Sequence, residues 1–161
     1  LTNTIQEITG VDAEDPLIWQ LQNKGKAHFR GFEAGLSYRY KWIEAETNYN
    51  YINRVNKTDK EVKFTEVPDH KWNAMIQVSP FYDIRIQARM TTVSQTNMSS
   101  DGKITIPGYA LFHANIGKEL NGFDIKLGVK NLFDKLYYFS EGYPMEGRRY
   151  YISLAYRFTK K

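Results

Sequence analysis

The sequence has no cysteine, which removes disulfide frameworks and thiolate metal sites from consideration. Histidine is nearly as scarce: the three present are His28, His70 and His113, isolated in sequence and without a carboxylate at chelating spacing. No apolar run reaches the about 18 residues that a membrane-spanning helix needs. Catalytic signatures are missing as well, since no nucleophile elbow, glycine-rich phosphate loop, HExxH or CxxC pattern occurs. Glu44 and Glu46 stand two apart, yet two glutamates on one strand face are not by themselves an acid/base pair. The sequence therefore points away from an enzyme and offers no motif for a bound cofactor or metal. Its formal net charge of +4 is modest and its Lys and Arg are dispersed, which argues against a nucleic-acid partner. The chain opens LTNTIQEITG, without an initiator Met or a charged-then-apolar leader, so any targeting segment is expected to have been removed or to lie upstream.

What is abundant is aromatic residues, 15% of the chain with 12 tyrosines, and alternation. Period-two segments bounded by turn residues dominate. They predict eight strands, at residues 3–9, 24–40, 42–54, 70–79, 82–95, 108–120, 122–134 and 148–158, the first resting only on Ile5 and Ile8. Phe32, Ala34, Leu36, Tyr38 and Tyr40 share one face of the second, opposite Gly31, Glu33, Gly35 and Ser37. In the last, Tyr150, Ile152, Leu154, Tyr156 and Phe158 oppose Tyr151, Ser153, Ala155 and Arg157. One face of the sheet is apolar and the other carries charge.

Alternation alone does not say which face is the core, because a soluble sandwich or lipocalin-type barrel alternates as a membrane barrel does. Three further features favour lipid outside. Connections alternate in length: YKW, SPFY and LNG are tight, whereas 10–23, 55–69, 96–107 and 135–147 are long, the pattern of outer-membrane barrels. Several strands reach the roughly 9 to 11 residues a tilted strand needs to cross hydrocarbon. Aromatics gather at both strand ends, Tyr38, Tyr40, Trp42, Phe81, Tyr82, Phe123, Tyr156 and Phe158 at the short turns and Tyr49, Tyr51, Trp72, Tyr109, Tyr137, Tyr138 and Tyr150 at the long loops, as two interfacial belts would. The fold class expected is all-β, made of antiparallel transmembrane β-barrel strands.

The ending VKNLFDKLYY, then a loop with GYP and GRRYY, then ISLAYRF, resembles the C-terminus of TonB-dependent outer-membrane receptors. NKGKAHFRGFEAGLSYR and VPDHKWNAMIQV resemble earlier strands of the same family, so the likeness runs from about Asn23 onward. The family's terminal aromatic falls on Phe158, with Thr159, Lys160 and Lys161 beyond it. The resemblance implies that residues 1–161 are about eight strands from the C-terminal part of a 22-stranded barrel, with the plug domain outside this chain. It further implies a bacterial outer-membrane protein importing a scarce nutrient, most often an iron siderophore, otherwise haem, cobalamin or a glycan. Its partners would be the lipid bilayer, the remaining barrel and plug, a small nutrient ligand, and the TonB complex through upstream residues. Two other readings stay open from the residues alone: a complete eight-stranded barrel serving as an adhesin or structural anchor, and a soluble lipocalin-like binder.

Candidate contacts with ligand or plug are Arg148, Arg149, His113, Arg85, Arg89, Glu44 and Glu46. Inward Glu33, Lys126 and Lys130 belong to the same set, and the simpler reading of these inward charges is a ladder of opposite signs that hydrates and stiffens the wall. Arg148 and Arg149 could grip an anionic chelate through their guanidinium forks, or serve outer-leaflet phosphate or the strand start. His28 and His70 mark strand starts near the outer rim, and His113 faces inward with Asn115. Trp19, Tyr138, Phe139 and Tyr143 could stack on a ligand or simply pack their loops.

Overall fold

The computed structural model describes the backbone of residues 5–9 and 19–23 and the whole of residues 26–158. Every regular element there is a strand: β1 Ile5–Thr9, β2 Trp19–Asn23, β3 Ala27–Tyr40, β4 Ile43–Asn56, β5 His70–Val78, β6 Ile84–Val93, β7 Thr96–Asn97, β8 Thr105–Ile106, β9 Tyr109–Leu120, β10 Phe123–Lys130, β11 Tyr138–Ser140, β12 Tyr143–Pro144 and β13 Arg149–Tyr156. Seven form one antiparallel meander in the order β3-β4-β5-β6-β9-β10-β13. The short connections 41–42, 79–83 and 121–122 lie on one rim and the long ones 57–69, 94–108 and 131–148 on the other. At the first rim Asn121 and Gly122 both adopt positive φ, 50° and 83°, as a type I′ hairpin turn requires.

Three departures from the sequence reading have local causes. The first predicted strand, residues 3–9, is β1, but it pairs with β2 in a separate hairpin; β2 itself falls in the predicted loop 10–23, because WQLQN carries only two apolar residues and less than one convincing period. The predicted strand 122–134 stops at Lys130, since Asn131 turns into the left-handed region at φ 51°. Likewise 82–95 starts only at Ile84, after Tyr82 and Asp83 at φ 55° and 56°.

The register joins the predicted faces into continuous surfaces. Tyr40, Ile43, Val78, Ile86, Ile116, Leu127 and Ile152 follow one another across all seven strands. On the reverse side the neighbouring row reads Arg39, Glu44, Gln77, Gln87, Asn115, Gly128 and Tyr151. Among the described residues nothing covers the apolar side. Ile152 is 77%, Leu154 65% and Ile86 45% exposed, and the buried apolar residues among those described are only Ala27, Ile106 and Leu111. Apolar surface costs about 25 cal/mol per Å² in water, so an uncovered apolar face of this extent belongs in lipid, as in transmembrane β-barrel strands. Its loop-side end carries an aromatic group suited to the membrane interface: Phe32 lies against Tyr49 and Tyr51, His70 stacks on Tyr51 at 4.8 Å, and the Trp72 indole N–H donates to Thr47 Oγ1 at 2.7 Å. The sheet does not close among the described residues. Its edges, β3 and β13, each have one flank without a partner strand.

Candidate functional site

The polar face and the three long loops above it define the candidate site. Two of the three loops are held by a buried polar residue at the base, Asn56 and Asn131. Asn56 is buried, and its Oδ1 accepts the N–H groups of Thr58 and Asp59, both at 3.0 Å, an Asx turn that starts loop 57–69. The same loop returns over Arg54, whose guanidinium donates to Asp69 Oδ1 at 3.1 Å and to the Val67 carbonyl, and lies 5.9 Å from the Phe64 ring centre. Loop 94–108 folds on itself through the β7–β8 pairs, and its tip is closed by Asp101. The Ser99 hydroxyl and the Lys103 N–H donate to that carboxylate, and they hold it below the ordinary carboxylate value, the Ser99 bond contributing most. Two backbone bonds stitch these loops together, Lys63 N–H to Ser100 O at 2.7 Å and Glu66 N–H to Asn97 O at 2.9 Å.

Loop 131–148 hangs on Asn131. Its side chain accepts the Lys135 N–H at 2.8 Å and donates to the carbonyls of Lys135 and Glu146 at 2.9 and 3.3 Å, while its own N–H donates to His113 Nδ1 at 3.1 Å. Further on, Asp134 Oδ1 accepts the Arg148 N–H at 2.6 Å. A Cβ on residue 147 would stand 2.7 Å from that carboxylate oxygen, so any side chain there would push the carboxylate aside. The KNLFDK motif is thus a loop clasp, and Asn131 and Asp134 are the residues that inspection for charged or aromatic contacts passes over. Arg54 is missed because its partners Val67 and Asp69 stand at the far end of the loop, and Asn56 because its Asx turn to Thr58 and Asp59 leaves no charged or aromatic signal.

Beneath the three loops lies a cleft of about 400 Å³, roofed by Pro68, Pro107, Tyr138 and Phe139 and floored by Lys71, Tyr109, Leu111 and His113. Tyr109 packs 4.8 Å from Tyr137 and 6.3 Å from Phe139, ring centre to ring centre, which places Tyr109 on the cleft side and not in the lipid-facing belt. A second hollow of about 450 Å³, lined by Glu46, Asn48, Asn73 and Arg89, continues down the same wall; Thr91 and His113 border both.

The predicted contacts divide accordingly. Glu46, Arg89 and His113 come together at these hollows. Two others are tied into the ladder of opposite charges: Glu44 accepts from Arg39 at 2.9 Å, and Arg85 reaches across the gap left by Gly117 to pair with Asp124. Arg149 pairs with Glu146 at 2.8 Å, and Arg148 joins the clasp through its backbone. Of the aromatics, Tyr138 and Phe139 line the cleft, Tyr143 is 74% exposed, and Trp19 opens β2. His28 is the second residue of β3, where Arg30 Nε donates to its Nε2 at 3.1 Å, and His70 begins β5 on the lipid side. An amide chain, Gln87 to Gln77 at 3.4 Å and Asn115 to Gln87 at 3.1 Å, fills the wall between the charges. The wall presents charged and hydrogen-bonding side chains to the space beneath the loops.

The family model described as TonB dependent receptor-like, beta-barrel, matches residues 1–132. Among solved structures, the chain is similar to the ferric-catecholate import receptor Fiu of E. coli K12 in its closed form, with 23% identity and a TM-score of 0.74 over 95% of this chain and 23% of that one. It is similar to the siderophore receptor PirA of Acinetobacter baumannii, with 21% identity and a TM-score of 0.72 over 97% of this chain and 26% of that one. For the copper transporter OprC the identity is 18% and the TM-score 0.78, over 98% of this chain and 26% of that one. At such identities the likeness is one of fold, and the chain spans about a quarter of the length of these receptors.

Proposed function

This chain belongs to the TonB-dependent receptor β-barrel family, and from that membership we propose that it is the C-terminal wall and outer-loop segment of a bacterial outer-membrane receptor for a scarce nutrient. The observation that carries the reading is the pairing of an uncovered apolar face, continuous across seven strands, with a hydrogen-bonded polar wall roofed by three tied loops. A soluble lipocalin-like binder would bury the apolar side instead. A complete eight-stranded barrel would leave no open flank, whereas unpaired backbone in lipid costs several kcal/mol per group. The open flanks of β3 and β13 therefore favour further strands beyond those described here.

The ligand meets the loop cleft first and passes along the polar wall when a plug, driven by the TonB complex, rearranges. The nutrient proposed is a ferric siderophore, supported by the aromatic lining of the cleft and by similar structures named for ferric-catecholate and siderophore import. The test is uptake of radiolabelled ferric catecholate and ferric citrate by cells carrying or lacking the complete gene. Uptake that needs both the gene and an intact transducer supports the proposal. Equal uptake with and without the gene, for every chelate and for haem and cobalamin, overturns it.

A further inference from the structure

The polar wall carries a cationic row, Arg89, His113 and Lys130, that the ion-pair ladder does not use. Arg89 pairs across strands with His113, and Lys130 follows Val129, the partner of Ala114, which sets it on the other side of His113. Two strand spacings separate the backbones of Arg89 and Lys130, roughly 10 Å, a gap that two long cationic side chains can close around one small anion. The other arginines near the row are occupied: Arg149 by Glu146 and Arg85 by Asp124. Among the described residues no carboxylate pairs with Arg89 or Lys130. The ammonium of Lys130 instead rests 6.0 Å from the Tyr151 ring, which attracts the charge without neutralising it. Between them, His113 Nδ1 is already an acceptor for the Asn131 N–H, so the neutral ring carries its proton on Nε2 and has one donor left to offer.

The geometry points to a subsite for a carboxylate or phosphate group, with Arg89 and Lys130 as its charged donors and His113 as a neutral third donor. It sits one step below the loop cleft, because His113 and Thr91 border both hollows. An anionic solute leaving the cleft arrives at this row next; Glu46, at the far side of the lower hollow, repels the same charge and confines it to the β6–β10 side. Only the direction of travel rests on the receptor proposal. The anion site stands on the row itself.

The test uses the complete receptor, purified in detergent, titrated calorimetrically at low ionic strength with citrate and, separately, with inorganic pyrophosphate. At least one probe binds saturably, and Arg89→Gln and Lys130→Gln each weaken it by about tenfold or more, as loss of one charge-assisted donor should. Lys126→Gln, which removes a cation from the same face away from the row, leaves the affinity within about twofold. Arg89→Lys retains most of the binding and separates loss of charge from loss of fold, and heat-modifiable gel mobility confirms that each variant is assembled. Binding of one probe alone identifies the group, carboxylate or phosphate. Absence of saturable binding by either probe, or equal weakening by Lys126→Gln, overturns the subsite. Because nutrient uptake by cells is measured separately, a receptor that imports its nutrient yet ignores both probes sinks this inference and not the proposed function.

Discussion

At the scale of single residues, the best-determined part of the site is the clasp around Asn131. An asparagine tolerates the left-handed backbone it adopts there, and its side chain serves three main-chain groups of its loop while it stays buried. Asn131→Ala leaves those groups without partners, at a local cost of about 1–3 kcal/mol. The expected outcome is faster tryptic cleavage at Lys135, Arg148 and Arg149 while the strands stay protected; unchanged cleavage would show that the clasp does not hold the loop. Gly147→Ala should act alike, because its methyl would press on the Asp134 carboxylate that anchors Arg148. At Asp101 the sign of the pH effect is fixed by direction. A carboxylate held below its ordinary value stabilises its turn above the unfolded value and loses that contribution as pH falls through the folded one. Hydrogen exchange at Lys103 and Ile104 should therefore stay slow, for its pH, until the medium is more acidic than the usual carboxylate range, and Asp101→Asn should remove the dependence. The KNLFDK motif is visible in the sequence as a family mark, but the work of its Asn is not, because its partners include a histidine 18 residues upstream and a carbonyl 15 residues downstream.

At the scale of the strand, the sequence is most legible where alternation runs long. Seven of the predicted strands appear with small shifts at their ends, and the apolar and polar sets fall on opposite faces, because the period of two leaves each side chain no choice once the register is set. The short strands β2, β7, β8, β11 and β12 are illegible for the converse reason: two to five residues hold too few alternations to stand out from turn composition. The face assignment makes an unequal prediction for adjacent residues of β13. Leu154→Arg places a charge on the lipid side at a cost of about 2–4 kcal/mol near the midplane, and should lower the heat-modifiable, assembled fraction of receptor in outer membranes. Ser153→Arg, one position away on the wet side, should assemble as wild type. Equal behaviour of the two would mean that lipid does not distinguish the faces.

At the scale of the whole molecule, the loops are not independent. Loops 57–69 and 94–108 are joined by two backbone hydrogen bonds, and the first of them rests on Arg54, whose side chain is 8% exposed and grips the returning end of that loop through Asp69 and Val67. Loop 131–148 has its own clasp; it lies beside loop 94–108 where β11 approaches β8, and it faces the cleft through the Tyr109, Tyr137 and Phe139 rings, with no backbone hydrogen bond to either loop among the described residues. No periodicity in the sequence announces this division, because it depends on main-chain groups that any residue would supply. It predicts a transmitted effect. Arg54→Ala removes an ion pair whose carboxylate is 55% exposed, a hydrogen bond to the Val67 carbonyl and the cation beside Phe64, together a change of about 1–3 kcal/mol. Hydrogen exchange followed by mass spectrometry on the complete receptor should then quicken in 57–69 and also in 94–108, which Arg54 does not touch, while 131–148 keeps its wild-type rates. Quickening confined to 57–69 would mean that the stitches carry no load, and quickening of all three loops would mean that the roof is a single body whose opening admits solute to the wall as one event.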